Sequence, residues 1–190
     1  MKIAITGTIG SGKSTFSKLL TKSGYPVFNV DKYNSYLLEN DPIVFTKITK
    51  QFDCLTDDDN IDKKKLADII FNDDQRKQEL EEILHPLILK KIIDESELSK
   101  IFIAEVPILF ESNMHSYFDL IILVKTDLEI VKKRLLSRGL SSEQIRLRIS
   151  KQFPVETKEK LSDIIVSNNG DLNDLQLEVE RIIEIIEGKL

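Results

Sequence analysis

Residues 7 to 15, Gly-Thr-Ile-Gly-Ser-Gly-Lys-Ser-Thr, place three of the chain's seven glycines within six positions and follow them at once with a lysine and two hydroxyls. A loop that wraps a polyanion with main-chain N–H groups needs backbone freedom that glycine supplies without steric cost. The apolar run at 2–6 before it reads as a strand buried on both faces. The segment 13–24 after it reads as a helix, with Phe16, Leu19 and Leu20 on one face and Gly24 as its stop. Residues 7–14 satisfy the complete G-x-x-x-x-G-K-[ST] pattern in the strand, loop and helix context that its mechanism requires. Such a loop commits the chain to an α/β layer architecture with phosphates seated at a helix N-terminus.

The remaining pattern agrees. Strand-like runs recur at 25–30, 101–106, 119–124 and 162–167, alternating with helical periodicity. Five short apolar strands between helices predict a three-layer P-loop NTPase fold, a five-stranded parallel sheet with helices on both faces. Residues 42–100 change character, and Leu80, Ile83, Leu84, Leu87, Ile88 and Ile92 fall at helical spacing there. Pro86 removes a backbone donor and is expected to kink or split that helix near His85. Thr126 with Glu129, and Ser141 with Gln144, read as capping boxes. Leu172, Leu175, Val179, Ile182, Ile183 and Ile186 mark a closing amphipathic helix. The expectation is a single domain over 1–190, with a core at about 1–33, 100–136 and 155–190, a helical insertion at about 34–99 and a lid at about 137–154.

Composition limits the partners. A net charge of −5 disfavours a nucleic-acid-binding protein, which needs a cationic surface to displace counterions from phosphates. Cys54 is the only cysteine, so neither an intramolecular disulfide nor a cysteine zinc cluster can form, which suits a reducing compartment. The start of the chain lacks a secretory pattern and no run approaches membrane-spanning length, so a cytoplasmic protein without a membrane partner is expected.

The loop assigns its own chemistry. Amides and side chains across Thr8, Ile9, Gly10, Ser11, Gly12, Lys13, Ser14 and Thr15 would hold ATP phosphates, Lys13 would reach the β- and γ-phosphates, and the Ser14 hydroxyl would ligate Mg²⁺. Asp31 follows the second strand, where a carboxylate could accept a proton from an attacking hydroxyl, help hold the metal, or cap the next helix. Arg134 and Arg138 share a helix face, and Arg146, Arg148 and Lys151 follow. They read as a closing cationic lid or as a solvated basic face. His85 reads as a partly buried imidazole and His115 as a surface residue. Glu111 borders the crevice, where it could orient substrate or cap a loop. No N-K-x-D guanine motif occurs, which argues against a GTP switch, and no serine-triad or zinc-protease spacing is present.

These residues resemble the dephospho-coenzyme A kinase family nearly end to end: "TGTIGSGKST", Val30-Asp31, "LHPLI" at 84–88, "VPILFE" at 106–111, "KRLLSR" at 133–138, "RISKQ" at 148–152 and "SDIIVSNNG" at 162–170. The resemblance implies phosphorylation of the ribose 3′-hydroxyl of dephospho-CoA with ATP and Mg²⁺, by a monomer or weak homo-oligomer. It makes Asp31 the general base beside Lys13 and Arg138. It gives Lys13, Ser14, Arg134, Arg138 and Arg148 to ATP and the moving phosphoryl group, and sets Asn169 and Gly170 beside the adenine. It places His85, Pro107 and Glu111 near the acceptor, whose coenzyme A half would lie on the helical insertion. A nucleoside or other small-metabolite kinase, or a nucleotide-binding protein with weakened catalysis, are the alternatives. Four positions depart from the family's usual pattern: Asn29 and Glu105 stand for aspartates, Ser35 for an arginine and Val131 for a glutamine.

Overall fold

The computed structural model describes residues 1–189. Two compact units emerge among the described residues, one of residues 1–29 with 98–189 and one of 30–97. The insertion thus begins a few residues earlier than its sequence pattern suggests, directly after the second strand.

The first unit is built on β1 (Lys2–Thr6), β2 (Val27–Asn29), β3 (Phe102–Glu105), β4 (Leu120–Lys125) and β5 (Ile164–Ser167). They form one parallel sheet in the order β2-β3-β1-β4-β5, so the strand feeding the glycine loop lies in the middle. Ile3, Ile5, Ile103, Ile122 and Val124 bury one face against α1 (Lys13–Lys22) and α9 (Leu172–Glu187), through Phe16, Leu20, Leu175, Val179, Ile182 and Ile186. Ala4, Ala104, Ile121 and Leu123 alternate with them and are buried on the opposite face, the period of two expected of strands covered on both sides. Each of the large side chains contributes about 1.5–3 kcal/mol of burial. The second strand is shorter than the run at 25–30. Pro26 has no N–H for the ladder, and β2 pairs only with β3, at the sheet's edge.

In register, Ile5 stands beside Glu105 on one side and Ile122 on the other. The carboxyl ends of β1, β3 and β4 therefore release their loops at one edge, where an open parallel sheet places its ligand crevice. Beyond β4 run α6 (Leu128–Ser137), α7 (Ser142–Ser150) and α8 (Val155–Lys160). Ser141 and Gln144 form the expected capping box of α7. Thr126 and Glu129 do not form theirs. The N-cap of α6 is Asp127 without a side-chain cap bond, because the buried Thr126 hydroxyl donates instead toward the carbonyls of Ser11 and Asn168.

The second unit holds α2 (Val30–Asn40), α3 (Pro42–Gln51), α4 (Lys63–Asn72) and α5 (Asp74–Glu97), with α5 packed against the other three. Pro86 lies inside α5, yet the helix continues through it rather than splitting. Ile83, Leu84, Ile88 and Ile92 on either side of the proline are buried and pin both halves, while Pro86 itself is exposed. Cys54 is buried in this unit, and burial raises its thiol pKa, which keeps it protonated and unreactive. No helix among the described residues is long and apolar enough to cross a membrane.

Candidate active site

The glycine loop ends in an exposed helix start. Gly12, the N-cap of α1, has φ of 92° and offers no side-chain cap, and no acidic residue stands in the first turn. Amides at such a terminus, together with the helix dipole, favour an anion. Lys13 lies along the loop with Nζ donating to the carbonyls of Gly7 at 2.8 Å and Thr8 at 2.9 Å. The buried ammonium is thus laid across the loop by the loop's own backbone.

Glu105 closes the floor. It is buried, accepts from the Ser14 hydroxyl at 2.7 Å and accepts from Asn29 Nδ2 at 3.1 Å. Two of the four departures from the family pattern, Asn29 and Glu105, therefore touch each other. Serine and carboxylate oxygens are the hard donors that Mg²⁺ prefers, and this ion takes one or two protein oxygens plus substrate phosphates rather than a full protein cage. That chemistry fits Ser14 and Glu105, and no cluster of three or more acidic, histidine or cysteine side chains suited to a metal occurs among the described residues.

The rear of the loop is braced from β4 and β5. Thr126 Oγ1 and Asn168 Nδ2 both donate to the Ser11 carbonyl, at 2.9 and 2.7 Å. Arg134 donates to the Asn168 carbonyl at 3.0 Å, and the Asp127 amide donates to Asn169 Oδ1 at 2.8 Å. Beside them opens a cleft of about 200 Å³ lined by Gly12, Thr15, Arg134, Arg138, Gly170 and Leu172 among others. Expected ATP contacts from three distant stretches of chain meet there.

The loop apex meets the arginine-bearing helices. The Ile9 amide donates to Gln152 Oε1 at 2.8 Å, and the Ile9 side chain packs against the cluster of Val131, Leu135 and Ile145 on α6 and α7. Gly10 lies against the same helix. A Cβ there would come within 3.1 Å of both Val131 and Leu135.

Pro107 and Glu111 occupy the loop after β3. Lys158 Nζ, fully buried, lies 2.8 Å from Glu111 Oε1 and 3.4 Å from the Pro107 carbonyl, and the Phe153 amide donates to Glu111 Oε1 at 2.9 Å. Asp31 is exposed in the first turn of α2, two residues past the end of β2. His85 is half-buried in α5, and burial lowers its pKa, a shift that Lys77 reinforces and Glu81 opposes. Arg148 is exposed in the last turn of α7 and does not line the cleft of Arg134 and Arg138.

The sequence reading gives Thr126, Gln152, Lys158 and Asn168 no part in the site. Asn168 adjoins the quoted Asn169-Gly170 pair and Gln152 ends the "RISKQ" run, so both carried a faint signal. Lys158 carried none.

A family model for dephospho-CoA kinase matches residues 1–174. A dephospho-CoA kinase of Aquifex aeolicus is 34% identical over 189 residues, covering 96% of each chain. Among solved structures, a Thermus thermophilus protein superposes with a TM-score of 0.84 at 31% identity, covering 100% of this chain and 97% of the other. A dephospho-CoA kinase of Campylobacter jejuni superposes with a TM-score of 0.72 at 30% identity, covering 100% of both.

Proposed function

The chain belongs to the dephospho-CoA kinase family, and from that membership and the loop geometry we propose that it transfers the γ-phosphoryl group of ATP to the ribose 3′-hydroxyl of dephospho-CoA, giving coenzyme A and ADP. The observation that carries the reading is the uncapped start of α1, with the Lys13 ammonium laid along the loop and the Ser14 hydroxyl held by buried Glu105.

The loop amides and Lys13 bind the β- and γ-phosphates. Arg134 and Arg138 flank the nucleotide cleft, with Asn169 and Gly170 toward the base. The Ser14 hydroxyl, with Glu105 behind it, would hold Mg²⁺, which would supply charge neutralisation at the phosphate oxygens. Asp31 accepts the proton of the attacking hydroxyl. His85, Pro107 and Glu111 serve the acceptor side, Glu111 by fixing the loop that carries Pro107, and Arg148 closes on the transferred group.

An ADP-release assay with and without dephospho-CoA tests the reading. ADP release that depends on dephospho-CoA is expected, whereas release driven only by another alcohol would overturn the substrate assignment. The variant Asp31→Asn should keep ATP affinity and lose turnover by about 10²–10⁴-fold, the usual worth of a general base. Near-normal turnover would remove Asp31 from that role.

A further inference from the structure

Gln152 lies outside every role assigned so far, yet its side chain reaches the apex of the phosphate loop, accepting from the Ile9 amide across 143 residues of sequence. The geometry around it is that of an anchor. Gln152 is half-buried, and its own amide donates to the Ile149 carbonyl, continuing the last turn of α7. The next residue, Phe153, is fixed by its amide to Glu111, which is in turn paired with fully buried Lys158. The base of α7 is therefore held at two adjacent residues, on one side to the phosphate loop and on the other to the loop after β3. Ile9 is also held twice, by its amide to Gln152 and by its side chain among Val131, Leu135 and Ile145.

We propose that Gln152 is a positioning residue that ties the apex of the phosphate loop to the base of the arginine-bearing helix α7, so that the loop and that helix keep one relative placement during phosphoryl transfer. The amide of Ile9 is committed to Gln152 and serves placement, as that of Ser11 is committed to the Thr8 carbonyl, while the amides at the start of α1 and Lys13 serve the phosphates. Loss of the tie should then harm the step that needs exact placement more than it harms nucleotide binding. The kinetic part rests on the reading that this loop binds ATP, whereas the tie itself does not.

Hydrogen exchange of the Ile9 amide, followed by NMR without nucleotide, tests the tie. Exchange should be slow in the parent protein, at least about tenfold faster in Gln152→Ala, consistent with loss of one hydrogen bond, and slow again in Gln152→Glu, which keeps the acceptor. Exchange in the interior of α1 should not change. Equal Ile9 exchange in the parent and Gln152→Ala overturns the proposal. In steady-state assays Gln152→Ala should lower kcat about tenfold while the ATP Kd stays within about threefold. Unchanged kcat, or a parallel loss of ATP binding and melting temperature, also overturns it. If no acceptor supports turnover even in the parent protein, the proposed activity fails, and the exchange measurement still decides the tie.

Discussion

Lys158→Met should be among the most destabilising single substitutions in the sheet unit. The ammonium is fully buried, 2.8 Å from a carboxylate oxygen whose own side chain is 7% exposed. Glu111 Oε1 also accepts from the Phe153 amide, while Oε2 has no hydrogen-bond partner among the described residues. Removing the lysine charge leaves a buried carboxylate with one neutral donor, and breaking a buried pair in this way costs about 3–5 kcal/mol. For a chain of this size each kcal/mol lowers Tm by about 2–4 °C, so a fall of about 6–20 °C is expected. The double variant Lys158→Met with Glu111→Gln removes both charges and keeps an acceptor for Phe153. It should recover most of the loss, leaving a coupling energy of about 2 kcal/mol or more between the sites. Calorimetry is the suitable assay, because it can resolve the sheet unit's transition from that of the helical unit. The reasoning fails if Lys158→Met melts within about 2 °C of the parent, or if the double variant is no more stable than the single one.

Lys13→Ala should weaken ATP binding as well as turnover, by about 10- to 150-fold for a lost charge-assisted bond, and calorimetric titration showing unchanged ATP affinity would count against the loop assignment. Gly12→Ala strains a φ of 92° and drives a Cβ into the Asn168 side-chain amide, whereas Gly24→Ala strains a similar φ of 94° with nothing within 4 Å. Both should lose about 1–3 kcal/mol of stability from backbone strain, but only Gly12→Ala should also lose ATP affinity, as paired melting and binding measurements would reveal. Because burial lowers the His85 pKa below its ordinary 6.5, the unfolded chain binds a proton that the folded one resists. Stability should fall as pH drops through 6.5 and level off below the lowered folded-state value, and urea midpoints of His85→Gln should show a flatter dependence across that window.

The phosphate loop was legible because its strand, glycines, lysine and hydroxyls are contiguous, so composition and spacing alone define them. The central strands were legible for a related reason: burial on both faces writes a continuous apolar run. Lys158 shows the opposite case. It sits in a charged stretch, Glu156 to Lys160, that reads as a solvated face, and only the tertiary placement of Glu111 makes its burial possible. Thr126 belongs to a genuine local capping pattern, but the carbonyls of Ser11 and Asn168 compete for its hydroxyl and win. Pro86 likewise carries a local break signal that the buried residues flanking it override. Asn29 and Glu105 were visible only as two separate departures, since their contact spans 76 residues.

These misses share a cause that bears on how the loop works. Glycine permits the loop's shape but does not choose it, and three flexible residues each cost about 0.5–1 kcal/mol when ordered. The selection comes from bonds to Gln152, Thr126 and Asn168, at sequence separations of 143, 115 and 157 residues. At about 0.5–1.5 kcal/mol each, three such bonds offset what the glycines lose. A phosphate ligand then meets a loop already ordered by the far half of the chain, so its binding energy is not spent on fixing the backbone. Under the proposed function, the motif specifies which atoms meet the phosphates, and the distant ties specify that they are in place beforehand.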